Sequence, residues 1–143
     1  RLVRAERGGP AEGIRVHRLR QQAVQTGVPV AEAMQRLLHF IGARPLVGYY
    51  LEFDVAMINR ALRATLGLTL PQEKIEVSRL YYDHKFRQLP PYRQHDQADI
   101  DLRFATIMRE LGLPTRDAHD ALNDAVMAAL AFIKLRVLRG DAD

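Results

Sequence analysis

Pro45-Leu46-Val47-Gly48-Tyr49-Tyr50-Leu51-Glu52-Phe53-Asp54 is the stretch on which the fold turns. Pro45 to Tyr50 is an apolar run of strand length. From Asp54 the period changes: Ile58, Ala61, Leu62 and Leu66 recur at helical spacing until Gly67. A buried strand handing over to a helix is the unit from which α/β folds are built. Asp54 stands at that corner, where a carboxylate serves either as a helix N-cap or as a metal ligand held at the carboxyl end of a sheet. Gly48 leaves room for a close approach of another backbone or a substrate, and Phe53 sets a large apolar ring beside the charge.

Upstream, Leu2-Val3 reads as a short strand broken by Gly8-Gly9-Pro10, and the basic run Arg15 to Arg20 as two short helical turns ending at Gly27. Pro29 suits a helix start, and Val30, Met34, Leu37, Leu38 and Ile41 form one apolar face stopped by Gly42. Downstream, Ile75-Glu76-Val77 reads as a further strand, and Tyr81 to His95, with Pro90-Pro91, as a loop with one helical turn. A helix is predicted over 99–111, with Leu102, Met108 and Leu111 inward. A last helix is predicted over 119–138, burying Ala121, Leu122, Ala125, Ala129, Phe132 and Ile133. No repeat or linker interrupts the chain, so residues 1–143 read as one α/β domain in which helices outweigh strands.

The 143 residues suffice for one buried core, and 48% hydrophobic with 27% charged residues is ordinary for a globular domain. The absence of cysteine excludes disulfides, thiolate metal sites and a thiol nucleophile. The longest apolar run, Ala125 to Ile133, is too short to span a bilayer. With no basic-then-apolar leader, the expected location is cytoplasmic. The net charge is +4, and of the 21 basic residues only Lys74, Lys85 and Lys134 are lysine. Arginine's planar fork suits phosphate, which tilts the charge toward a nucleic-acid partner, although a GC-rich coding bias gives the same composition.

A second constellation is Ala118-His119-Asp120-Ala121-Leu122-Asn123-Asp124-Ala125. Five helical steps turn about 140°, so His119 and Asp124 share a site only if His119 lies before the helix proper. Otherwise His119 is a capping or surface histidine and Asp124 a solvated first-turn acid.

Taken together, these segments resemble the DnaQ-like 3′–5′ exonucleases, the family of the DNA polymerase III epsilon subunit. Leu46-Val47-Gly48 followed by Phe53-Asp54 is similar to their second motif. His119-x-x-x-x-Asp124 is similar to the third motif of the DEDDh branch, and Val16-His17-Arg18-Leu19 to the stretch preceding the second. The resemblance implies a ribonuclease H-like α/β fold and hydrolysis of the terminal phosphodiester of DNA or RNA with two Mg²⁺ or Mn²⁺ ions. It implies Asp54 and Asp124 as metal ligands and His119 as the base for the attacking water. It also suggests Arg15, Arg18 and Arg20 (with Arg60 and Arg63) for phosphate, and Tyr49, Tyr50 and Phe53 for substrate. Single-stranded 3′ ends are the implied partner, with a polymerase, a fused domain or a second copy as further partners.

Two departures qualify it. The family's first motif, an Asp-x-Glu on the first strand, has no counterpart before Asp54. The fold is therefore expected to lack its amino-terminal strands, and these 143 residues to be inactive on their own. Tyr49-Tyr50 stands where relatives commonly carry His-Asn. Two other readings compete: a binding or docking domain of the same fold with an incomplete site, and an all-helical HD-type metal phosphohydrolase using His84, His95-Asp96, His119-Asp120 and Asp124.

Overall fold

The computed structural model describes residues 29–95, 98–115 and 120–140. The readings at Leu2-Val3, Arg15 to Arg20 and His119 lie outside them. In chain order the elements are α1 (Val30–Ile41), β1 (Leu46–Gly48), α2 (Leu51–Leu66), β2 (Lys74–Glu76), α3 (Val77–Gln88), a 3₁₀ turn (Pro91–Arg93), α4 (Phe104–Glu110) and α5 (Ala121–Arg139). The chain forms two compact units. One comprises the segment ending at Arg44 with Phe53–Pro71, the other Pro45–Glu52 with the segment from Gln72 onward.

In the first unit the buried apolar residues are Ile41, Val55, Leu62 and Leu70. Asn59 fixes the turn after α2, its Oδ1 accepting the Leu70 N–H at 2.8 Å. In the second unit β1 and β2 pair in parallel, with Leu46 opposite Lys74, Val47 opposite Ile75 and Gly48 opposite Glu76. Parallel neighbours need a long crossover, which the segment 49–73 supplies. α5 packs on β1, α3 and α4. Val77, Tyr81, Ile107, Met108, Leu111, Met127, Ala128, Ala131 and Leu135 form the core among them.

Three expectations are corrected. The segment from Val77 to Gln88 is a helix, not a loop. Its charged residues hide the pattern, but Val77 and Tyr81 are buried one turn apart, and Tyr82 stacks on Phe86 at 5.9 Å, again four residues apart. Gln94 reaches back to cap its end, its amide donating to the carbonyls of Phe86 (3.2 Å) and Leu89 (2.8 Å). The helix expected over 99–111 begins only at Phe104, because Asp101 takes the Arg103 N–H at 3.0 Å and the Thr106 hydroxyl at 2.8 Å, a local turn that competes with helix.

The third correction concerns α5. Its buried residues are Met127, Ala128, Ala131 and Leu135, whereas Leu122 and Ile133 are 69% and 57% exposed and Ala121, Ala125 and Ala129 face solvent. Of the expected face, Phe132 alone packs against the core. At 100° per residue the true face is rotated by roughly 120° from the expected one. The helix is apolar almost all round, so periodicity had no clear minimum to follow.

Candidate functional site

The β1–α2 corner is built from unusual pieces. A Cβ on Gly48 would lie 2.9 Å from Leu51 Cδ1 and 3.4 Å from Leu51 Cβ, so the space left by this glycine is filled by the Leu51 side chain rather than by a backbone or a substrate. Tyr50 has φ +50°, a left-handed conformation that costs a non-glycine residue about 1–2 kcal/mol. Such strain persists only where neighbouring structure holds it. The holding group is Glu76, at the end of β2. Its Oε1 accepts the Leu51 N–H at 2.8 Å, and its Oε2 the Tyr50 N–H at 3.1 Å. The same Oε2 accepts the N–H (3.1 Å) and hydroxyl (2.7 Å) of Ser78, capping α3.

Asp54 is therefore not the N-cap of α2. The helix begins at Leu51 with its first amides held by Glu76, and Asp54 is an exposed first-turn residue, placed where the helix dipole favours an anion. Phe53 beside it is 65% exposed, and Arg60 and Arg63 are exposed further along the helix.

The two tyrosines divide their roles. Tyr49 is held inside the fold: its ring stacks on Phe104 (4.2 Å between centroids, 7° between planes) and its hydroxyl donates to the Leu102 carbonyl at 2.7 Å. Burial, reinforced by the neighbouring Tyr50 and Glu76, raises its phenol pKa. Tyr50 meets the Tyr49 ring edge-on at 4.8 Å and remains 58% exposed, so its ring is the one presented to solvent.

Asp124 belongs to the second unit. It precedes Met127 and Ala128 by three and four residues, which places it on the inward face of α5, one turn from the core. It is half-buried, and among the described residues no side chain pairs with its carboxylate. It also stands in the first turn of the helix, where the dipole favours an acid. α5 begins at Ala121, capped by the Asp120 carboxylate accepting the Leu122 N–H at 3.3 Å. His119, Arg15, Arg18 and Arg20 lie outside the described residues.

Asp54 lies in the first unit and Asp124 in the second, and each carboxylate by itself is the hard oxygen donor that Mg²⁺ or Mn²⁺ prefers. Among the described residues no three His, Asp or Glu side chains gather into a metal cluster. The HD-type reading is corrected: the paired parallel strands have no place in an all-helical fold, and α3 stops at Gln88 before Pro90-Pro91. Sequence reasoning missed Glu76 as a structural centre. The available signal was a carboxylate at a strand-to-helix corner, the same kind of position that drew attention to Asp54.

A parallel strand pair joined and covered by helices is an α/β arrangement, consistent with a ribonuclease H-like fold. The profile of the Exonuclease family matches residues 2–132, and the chain belongs to that family, whose members are nucleases that generally work with divalent metals. No curated protein matches the chain. Among the described residues no helix is long and apolar enough to cross a membrane.

Proposed function

We propose that this domain acts on single-stranded nucleic acid as a metal-dependent 3′–5′ exonuclease of the DEDDh branch. The match to the Exonuclease family carries the reading, and it is supported by Asp124, a half-buried carboxylate on the inward face of α5 in the stretch that resembles the third motif. Asp54 and Asp124 would hold the metal. When bound, a divalent cation supplies acidification of the attacking water and stabilisation of the departing 3′ oxygen. His119 takes the proton of that water, a role suited to an imidazole whose ordinary pKa lies near neutrality. Tyr50 stacks on a base near the 3′ end, and Arg15, Arg18 and Arg20 meet the phosphates.

The competing outcome is binding without hydrolysis by a domain of the same fold. A 5′-labelled single-stranded oligonucleotide, followed by gel with Mg²⁺, Mn²⁺ or EDTA, separates the two. Hydrolysis shortens the strand from its 3′ end with Mg²⁺ or Mn²⁺ and not with EDTA, whereas binding alone leaves it intact. A chain that also carries an upstream Asp-x-Glu should shorten the strand from its 3′ end, and Asp124→Asn should abolish this. In that chain His119→Ala should slow hydrolysis by roughly 10²–10⁴-fold with binding retained. Absence of oligonucleotide binding by the wild-type domain would sink both readings.

A further inference from the structure

We infer that Glu76 is a positioning residue, whose carboxylate holds the β1–α2 corner in the shape that presents Tyr50 to a nucleic-acid base. The inference rests on the reading above, that Tyr50 meets substrate. Glu76 receives four hydrogen bonds from two different corners: the Leu51 and Tyr50 amides across the strand pair, and the Ser78 amide and hydroxyl within its own turn. Capping α3 alone does not require a glutamate. Asp, Asn, Ser and Thr are the preferred caps because a short side chain already reaches the N2 or N3 amide. The extra methylene of Glu76 is what lets one carboxylate serve Ser78 and still reach the opposite corner.

The register makes this possible. Gly48 lies directly opposite Glu76, so the chain turns into α2 beside the carboxylate. Tyr50, in its left-handed conformation, aims one amide at Oε2 while Leu51 aims the next at Oε1. Without these acceptors the strained conformation loses its restraint, and an exposed ring that can wander binds a base at a larger entropic cost.

Glu76→Asp separates the two duties: it keeps a carboxylate at the α3 cap but is one methylene too short for the far corner. Three measurements on this variant follow: the thermal midpoint, amide exchange at Tyr50 and Leu51, and affinity for a fluorescent single-stranded oligonucleotide in EDTA. The midpoint should fall by only about a few degrees for the two lost amide bonds, exchange at both amides should accelerate, and affinity should fall by about tenfold, within the range for a lost base–aromatic stack. Tyr50→Ala should cost the same, and the double variant no more than either single one, because Glu76 acts through Tyr50. Glu76→Gln, of native length but with one oxygen replaced by a donor, should loosen the same amides. Wild-type affinity in Glu76→Asp, or losses that multiply in the double variant, would overturn the inference while leaving the functional reading intact. A wild-type domain that binds no oligonucleotide would overturn that reading and this inference with it.

Discussion

Leu135→Ala and Ile133→Ala, two residues apart on α5, test the rotation of that helix. Leu135 is fully buried among Val77, Tyr81, Ile107 and Met108, and its inward neighbours on α5 are Ala128 and Ala131. Truncation removes three carbons, about 2.4 kcal/mol of transfer free energy at 0.8 kcal/mol each. A cavity term adds to this, and alanines cannot extend to fill the space, so the total should be about 3–4.5 kcal/mol, in the upper part of the range for such changes. Ile133 is 57% exposed. Less than half of the same three carbons is buried, worth about 1 kcal/mol, and alanine's better helix propensity returns several tenths. The net cost should be about 0.5 kcal/mol. Urea unfolding followed by far-UV circular dichroism, with m compared between variants, reads both values. In thermal scans Leu135→Ala should lower the midpoint by about 10 °C or more and Ile133→Ala by about 2 °C. If Ile133→Ala costs as much as Leu135→Ala, the helix is turned the other way and the core assignment is wrong.

Gly48→Ala should destabilise by about 1–3 kcal/mol in the same urea assay, because its Cβ would press on Leu51, a buried side chain; wild-type stability would show that Leu51 yields freely. Tyr49, half-buried, and Tyr81, fully buried, are phenols whose pKa values lie above the ordinary value, so their stabilisation is complete below about pH 10 and is lost as pH rises through the folded-state value. Absorbance titration at alkaline pH should show late-ionising tyrosine, and Tyr49→Phe should remove part of it and cost about 1 kcal/mol for the lost bond to Leu102. Asp101 has the opposite sign: hydrogen bonds from Arg103, joined by the Thr106 hydroxyl, hold its carboxyl well below the usual range. Its contribution is present above the ordinary carboxylate pKa and lost as pH falls through the depressed one. Asp101→Asn should therefore lower the urea midpoint near pH 6 and converge with wild type in strong acid; an equal deficit at both pH values would contradict that linkage.

Much of the fold was legible in the residue pattern. Apolar spacing located α1, β1, α2 and β2 to within a few residues, because each has one clear apolar run or stripe and a glycine or proline near its end. Asp54 and Asp124 were legible as candidates because acids in first turns after a strand or before an alanine-rich helix are local features. What the pattern could not supply was anything set by packing between distant segments. α3 carries too many charges to show its face, yet Val77 and Tyr81 are buried because α5 lies against them. α5 is apolar on every side, and only its partners decide that Leu135 goes inward and Ile133 outward. Glu76 belongs to the same class. Its neighbours in sequence explain half of its hydrogen bonds. The other half come from Tyr50 and Leu51, some 25 residues earlier, brought within reach by the parallel pairing of Gly48 with Glu76. Local periodicity and corner residues are short-range properties of the chain. The side that becomes buried and the carboxylate that restrains a strained backbone depend on a partner surface that exists only once the chain has folded.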